Sequence, residues 1–206
     1  GSMPFDLAAM IEPTSCCLAA AEQCGTKFGQ NVLVIGCGPL GLLHTIVSKS
    51  LGAKVIVLDM NIERLEMAKS VGADVMINPE EEDPGERIKE LTEIGADVVI
   101  AALGIPKVIE SYLKLVRNGG TFNIFGGTPR DETMTIDPRW LHYGEIFLTG
   151  TFASSLDHFK LAHKFVEKNA TQIMKVISSR CCLDDILDAV DRVRHGQGTK
   201  SVIVFD

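Results

Sequence analysis

The sequence predicts an α/β protein with a doubly wound, parallel six-stranded sheet and a short C-terminal α/β tail. Short apolar runs alternate with longer stretches in which apolar residues recur at helical spacing. The links between them are short, and Gly or Pro stands at most of the boundaries. This alternation is typical of parallel strands joined by crossover helices. Since such crossovers are almost always right-handed, few topologies remain, and we expect the strand order 3-2-1-4-5-6.

The predicted strands are short apolar runs, as expected for strands that helices cover on both faces. In chain order they are residues 32–35, 54–58, 75–78, 97–101, 121–125 and 146–149.

Helical patterns separate these strands. After the first strand, Leu40, Leu43 and Val47 recur every three or four residues, and Gly52 ends the pattern. Asn61 and three prolines, which suit the start of a helix, place the other helices from residues 61, 84, 106 and 138 onward. The helix that begins at residue 106 is expected to end at residues 118–120, Asn-Gly-Gly.

The pattern changes beyond Gly150. A helix is predicted over residues 155–168, and its inward-facing residues are expected to be Leu156, Phe159, Ala162 and either Phe165 or Val166. A strand near residues 173–177 and a last strand over residues 201–205 are also predicted. The helix between them carries the apolar residues Leu183, Ile186, Val190 and Val193.

Composition excludes several classes of protein. Of the 206 residues, 46% are hydrophobic and 23% are charged, as in ordinary globular proteins. A net charge of −7 argues against a general nucleic-acid partner, and no apolar run approaches the ~18 residues that span a bilayer. The six cysteines form no C-x-x-C pair, which favours reduced thiols in a cytoplasmic protein.

A glycine-rich turn joins the first strand to its helix. Gly36, Gly38 and Gly41 form a G-x-G-x-x-G pattern, and Asp59 ends the next strand about 20 residues further on, as in Rossmann dinucleotide-binding folds. Gly36 permits a tight turn, Gly38 allows a pyrophosphate to approach the backbone, and Gly41 allows the helix to pack closely. The positive end of the helix would then face the phosphates.

Asp59 predicts NAD rather than NADP as the ligand. Its carboxylate would accept hydrogen bonds from the ribose hydroxyls, and its charge would repel a 2′-phosphate. No cation follows it directly, because residues 60–63 are Met-Asn-Ile-Glu. Arg64 would either flank the adenine or face solvent on its helix.

Four segments resemble one enzyme family, the zinc-containing medium-chain alcohol and polyol dehydrogenases, and its sorbitol and threonine dehydrogenase branch in particular. They are GCGPLG at residues 36–41, VIVLDMNIERLEMAKSVGAD at 55–74, ADVVIAALG at 96–104 and LTGTFASS at 148–155. The resemblance extends from residue 10 to the end of the chain, and Pro39 suits the zinc-dependent branch.

The resemblance implies a set of NAD contacts. Leu40, Asp59 and Arg64 match contacts near the pyrophosphate, ribose and adenine. Residues 101–104, Ala-Ala-Leu-Gly, depart from the common family form, so that Leu103 would contact the cofactor through its backbone. The residues that match contacts to the nicotinamide half are Phe125, Gly126, Gly127, Phe152, Ala153 and Ser154.

The resemblance does not extend to a complete metal site. Glu12 matches a glutamate in or beside the catalytic zinc site, although an acid before Pro13 also suits the start of a helix. The family's zinc-binding Cys and Gly-His-Glu stretch have no counterpart upstream of Glu12. The five histidines share no ligand spacing and are expected at or near the surface: His44, His142, His158, His163 and His195. Zinc and catalytic residues are therefore not expected in this chain.

The predicted organisation has three parts. Residues 1–3 resemble the remnant of a tag, residues 4–154 form the dinucleotide-binding domain with a leading helix, and residues 155–206 match the segment that returns to the family's catalytic domain. Exposed apolar surface is expected on the strands of that segment. Arg180 would lie near a substrate pocket or simply be a cation at a strand end. The family commonly pairs through the sixth strand, which predicts a homodimer.

Three functions remain open on the sequence. In the first, the chain is the NAD(H)-binding portion of a zinc-dependent alcohol or polyol dehydrogenase and is inactive alone. In the second, it is a stand-alone NAD-responsive module or partner subunit. In the third, it is a methyltransferase of Rossmann type, although the family match at Phe152 and in the tail argues against this function.

Overall fold

The computed structural model describes residues 3–205, so that two residues of the predicted tag remnant and Asp206 lie outside the described part. It contains the predicted six-stranded parallel sheet, in the order β3-β2-β1-β4-β5-β6. The strands are β1 (Asn31–Ile35), β2 (Lys54–Leu58), β3 (Val75–Ile77), β4 (Ala96–Ala101), β5 (Val116–Ile124) and β6 (Phe147–Gly150).

Helices cover both faces of the sheet. They are α1 (Phe5–Ala8), α2 (Ile11–Gln23), α3 (Pro39–Ser50), α4 (Ile62–Ser70), α5 (Pro84–Thr92), α6 (Pro106–Tyr112), α7 (Pro138–Tyr143), α8 (Leu156–Lys168), α9 (Ala170–Val176) and α10 (Ile186–Arg194). Within the described part of the chain, no helix is both long enough and apolar enough to cross a bilayer.

The sheet separates two apolar layers, and β1 contributes to both. Val32 and Val34 pack in one layer, whereas Leu33 and Ile35 pack in the other, and all four side chains are fully buried. This alternation follows from the pleat of a strand, which points successive side chains to opposite faces. The central strands are therefore buried on both faces, and the loops of the candidate site follow their carboxyl ends.

The C-terminal tail forms a second, two-stranded parallel sheet of β7 (Ile177–Cys181) and β8 (Lys200–Ile203). Helix α10 connects the two strands. Several large apolar side chains of the tail are exposed, but they lie on α10 and in the segments beside it rather than on the strands: Leu183, Leu187, Val193 and Phe205. On the strands themselves Ile177 and Val202 are buried.

Three details differ from the sequence prediction. Residue 173 lies in α9 rather than in a strand, because Ile173 and Val176 are both buried, one helical turn apart. Leu156 and Phe159 are exposed, whereas Ala162 and Val166 are buried as predicted. Strand β5 begins at Val116, so the helix after β4 ends earlier than the Asn-Gly-Gly stretch.

Candidate functional site: the carboxyl end of the sheet

The glycine turn between β1 and α3 has the geometry that its three glycines predict. Gly36 has φ +91°, a left-handed conformation that favours glycine, and its amide donates to the Leu58 carbonyl at 2.8 Å. A Cβ on Gly41 would lie 1.8 Å from the Gly36 carbonyl oxygen. No atom lies within 4 Å of the position of a Cβ on Gly38, which precedes Pro39 at the start of α3. The turn therefore packs tightly beneath Gly41 and is open beside Gly38.

Asp59 closes the turn from the end of β2. Its Oδ2 accepts a hydrogen bond from the Cys37 amide at 2.7 Å, and its Oδ1 accepts one from the Asn61 amide at 2.8 Å. The residue is 9% exposed. Each carboxylate oxygen can accept a second hydrogen bond. Asp59 thus holds the turn and the start of α4, and it retains acceptor capacity toward a ligand.

Arg64 lies in the first turn of α4, where Asn61 caps its backbone amide. The guanidinium turns toward the C-terminal tail, and its Nη2 donates to the Gly196 carbonyl at 3.2 Å. Its buried Nε has no partner among residues 3–205. The arginine therefore connects the end of β2 to the loop before β8.

A groove of about 840 Å³ runs along the carboxyl ends of β5 and β6. Most of the residues predicted from the sequence for the nicotinamide half line it: Phe125, Gly126, Gly127, Phe152 and Ala153. Leu40 from the first turn of α3 and Glu12 from α2 line the same groove. Ser154 is not among the lining residues, and its hydroxyl lies 2.7 Å from that of Ser15 in α2.

The loops after β4 and β5 touch through their backbones. A Cβ on Gly126 would lie 2.2 Å from the Leu103 carbonyl carbon, and one on Gly104 would lie 1.9 Å from the Gly127 carbonyl oxygen. The Leu103 side chain in turn comes within 3.4 Å of the position of a Cβ on Gly36. Leu103 therefore joins the glycine turn to the groove-lining loop, a role that its side chain plays as well as its backbone.

Glu12 is exposed in the first turn of α2, which begins at Ile11 rather than at Pro13. Cys16, one helical turn away, donates from Sγ to Glu12 Oε1 at 3.5 Å. Burial and the neighbouring carboxylate raise the pKa of the Cys16 thiol. Between residues 3 and 205, no group of three or more His, Cys, Asp or Glu side chains could hold a metal. The residues described here therefore do not fit a catalytic zinc.

His44 departs from the prediction of a surface or partly buried histidine. It is fully buried in α3, and its ring meets that of Phe125 edge to face, with centroids 4.3 Å apart. Neither ring nitrogen has a partner in the described chain, and burial lowers the pKa of His44 to about 3. The ring is therefore neutral and supports Phe125 from behind the groove. Of the others, His158 is partly buried, and the exposed ones are His142, His163 and His195.

A smaller groove of about 370 Å³ brings the glycine turn next to two tail cations that sequence patterns did not indicate. Pro39 of the glycine turn lines it together with Arg194 and Lys200 of the tail. Arg180, by contrast, is paired with Asp6 through Nη2 at 2.7 Å. Two tail cations thus border the groove beside the N-terminus of α3. No local sequence pattern could predict this contact, because it joins residues as far apart as 39 and 200.

Comparison with known proteins matches residues 39–168 to the zinc-binding dehydrogenase family model. The chain is 29% identical over 215 aligned residues to the L-threonine 3-dehydrogenase of Symbiobacterium thermophilum, covering 99% of this chain and 59% of that protein. The chain therefore spans little more than half the length of this curated relative.

Solved structures agree with the fold. An alcohol dehydrogenase from Thermotoga maritima superposes with a TM-score of 0.91 at 26% identity, over 98% of this chain and 57% of that one. A Sinorhizobium meliloti protein solved with NADP bound superposes with a TM-score of 0.83 at 28% identity, over 96% and 57% of the two chains.

Proposed function

The chain belongs to the zinc-binding dehydrogenase family, and on that premise we propose that it binds NAD(H), in preference to NADP, as the cofactor-binding part of an alcohol or polyol dehydrogenase. The nicotinamide cofactor supplies hydride transfer in such enzymes. Residues 4–154 would form the dinucleotide-binding domain, and residues 155–206 would form the segment that joins it to the rest of the enzyme.

The geometry of the glycine turn is the main support for this proposal. The space beside Gly38 is open, and α3 begins directly after it with Pro39, which has no amide hydrogen to lose. The following amides and the positive end of this 12-residue helix favour a pyrophosphate at this point. A pyrophosphate could approach the backbone closely here because Gly38 has no side chain.

Preference for NAD follows from the charge and the bonding of Asp59. The carboxylate lies at the end of β2, and ribose hydroxyls could donate to its remaining acceptor positions. The nearest cation on α4, Arg64, is bonded to the tail at Gly196. A 2′-phosphate would therefore meet a carboxylate, and the one cation in the first turn of α4 is already bonded to the tail.

The nicotinamide half would lie in the groove at the ends of β5 and β6. Phe125 and Phe152 supply apolar walls, and Gly126 and Gly127 leave room between them. Walls of this kind orient the ring and exclude water from one side of it. Because the described residues do not fit a zinc site, we assign this chain the cofactor and no step of alcohol activation, and we expect no turnover by the chain alone.

Calorimetric titration tests the proposal. NAD should bind more tightly than NADP or S-adenosylmethionine, the ligand of the competing methyltransferase function. Asp59→Ala should cost about 1.5–3 kcal/mol of NAD binding free energy, the range for hydrogen bonds to a charged group.

Asp74→Ala is the matched control for Asp59. Asp74 also accepts from a backbone amide, that of Val55 at 2.7 Å, and it lies at the start of β3 rather than at the groove. It should lose stability without losing NAD affinity. Tighter binding of either competing ligand, or unchanged NAD affinity in a folded Asp59→Ala chain, would refute the assignment.

We further propose a homodimer that pairs through the free edge of β6, which is the last strand of the sheet. A cytoplasmic location is proposed because all six cysteines are free thiols.

A further inference from the structure

Gln23, the last residue of α2, bonds three consecutive residues at the end of β6. Its Nε2 donates to Thr149 Oγ1 and, at 3.2 Å, to the Gly150 carbonyl. Its Oε1 accepts from Thr151 Oγ1 at 2.6 Å. Thr151 Oγ1 also accepts from Asn123 Nδ2 of β5 at 2.9 Å. One amide side chain thus fixes the point at which the chain leaves the sheet.

The loop of residues 151–155 that follows is strained. Ala153 has φ +61°, a left-handed conformation that costs a non-glycine residue free energy. Such a conformation persists only when its surroundings determine it more strongly than local preference does. The bonds from α2 are those surroundings, and they act on both sides of Ala153.

The far side of the loop is also tied to α2. Ser15 Oγ donates to the Glu12 carbonyl at 2.6 Å, so that in its 2.7 Å contact with Ser154 Oγ it is the acceptor. Further along, His158 Nε2 lies 2.6 Å from Glu22 Oε2. The loop is therefore held between Gln23 at its start and Ser15 near its end.

Between these ties stands Phe152, whose side chain is 100% exposed although it lines the 840 Å³ groove. We propose that Gln23 is a positioning residue that holds the loop so that Phe152 and Ala153 form a wall for the nicotinamide ring. This inference rests on the proposed NAD site, and it makes α2 the element that sets the nicotinamide half of that site.

ADP-ribose, which lacks the nicotinamide ring, separates this role from general stability. Gln23→Met keeps the length of the side chain and removes all of its hydrogen bonds. It should weaken NAD binding about tenfold, or about 1.4 kcal/mol, and change ADP-ribose binding by less than about twofold. Gln23→Glu still accepts from Thr151 and should recover part of the loss. Amides of residues 152–155 should exchange hydrogen faster in Gln23→Met.

Gln30→Met is the matched control, because Gln30 bonds the Lys27 amide at 2.9 Å near the start of β1, away from the groove. It should leave both affinities and the loop exchange unchanged. Three outcomes would overturn the role of Gln23 and leave dinucleotide binding intact. In Gln23→Met, the affinities for NAD and ADP-ribose would fall equally, or neither would fall. In the wild-type chain, NAD would bind no more tightly than ADP-ribose. A wild-type chain that binds neither ligand would overturn the proposed function itself.

Discussion

His44 is a titratable residue that the fold keeps uncharged. Both ring nitrogens are buried without partners in the described chain, and burial lowers the pKa to about 3 from an ordinary value of 6.5. The unfolded chain takes up this proton near pH 6.5, whereas the folded chain does not. Stability from this source is therefore complete above pH 6.5 and falls as the pH drops toward 3.

His44→Phe should remove this dependence. The variant keeps an aromatic ring against Phe125 and has no proton to take up. Urea unfolding between pH 6.5 and 5, where most carboxylates stay ionised, should show a slope smaller by up to about 1.4 kcal/mol per pH unit than in the wild type. His163→Phe, which makes the same substitution at an exposed histidine, provides the control. Equal slopes for wild type and His44→Phe would contradict a neutral buried ring.

At the scale of elements, α3 packs against the glycine turn at Gly41 and leaves open space at Gly38. Substitutions at these two glycines should therefore affect the free energy of unfolding and the NAD affinity separately. Gly41→Ala would place a methyl group 1.8 Å from the Gly36 carbonyl oxygen, which is a backbone atom and cannot move aside as a flexible side chain could. We expect a loss of about 1–3 kcal/mol in the free energy of unfolding, as for other overpacked sites. Gly38→Ala meets no atom within 4 Å and has φ −66°, so its stability should be unchanged.

The same pair should behave differently toward NAD. The methyl group of Gly38→Ala would occupy the open space proposed for the pyrophosphate and should weaken NAD binding at least tenfold, which is about 1.4 kcal/mol. Urea unfolding and calorimetric titration of both variants measure the two effects. A Gly38→Ala chain that binds NAD as the wild type does would place the phosphates elsewhere.

Elements whose burial follows one simple pattern were predictable from the sequence. Strand β1 is apolar at every core position and the crossover rule orders its neighbours, so the sheet order is confirmed. Patterns failed in the tail. Ile173 was assigned to a strand because a short apolar run fits a strand or a helix equally well. Leu156 is apolar and yet exposed, since α8 packs through Ala162 and Val166.

Contacts between distant segments were not predictable. Gln23 reaches Thr149 across 126 positions of sequence, and no local pattern records such a bond. The burial of His44 could not be predicted from its position in the helix, because it depends on the contact with Phe125, which is distant in sequence. The candidate site was therefore predictable where one turn and one strand end define it, at Gly36–Gly41 and Asp59, and not where helices position the loops.

At the scale of the whole molecule, the proposed homodimer depends on the free edge of the sheet. β6 is the last strand, and Phe147 on it is 66% exposed. Tyr143, just before it in α7, is 70% exposed, with Arg139 stacked 5.3 Å from its ring centre. An unpaired strand edge with apolar and aromatic neighbours favours pairing with a second copy, because a two-fold axis would extend one sheet across both chains.

Phe147→Lys tests this assembly, since a charged side chain on an edge strand opposes pairing. Analytical ultracentrifugation should give the wild-type chain twice its mass of 22.3 kDa and the variant a single mass. Ile94→Lys changes an equally exposed apolar residue, 72% accessible in the loop before β4, and should remain dimeric. Because the groove of each chain is built from its own β5 and β6 loops, the monomeric variant should bind NAD as tightly as the dimer. A wild-type monomer, or a Phe147→Lys dimer, would remove β6 as the interface and leave the cofactor site untouched.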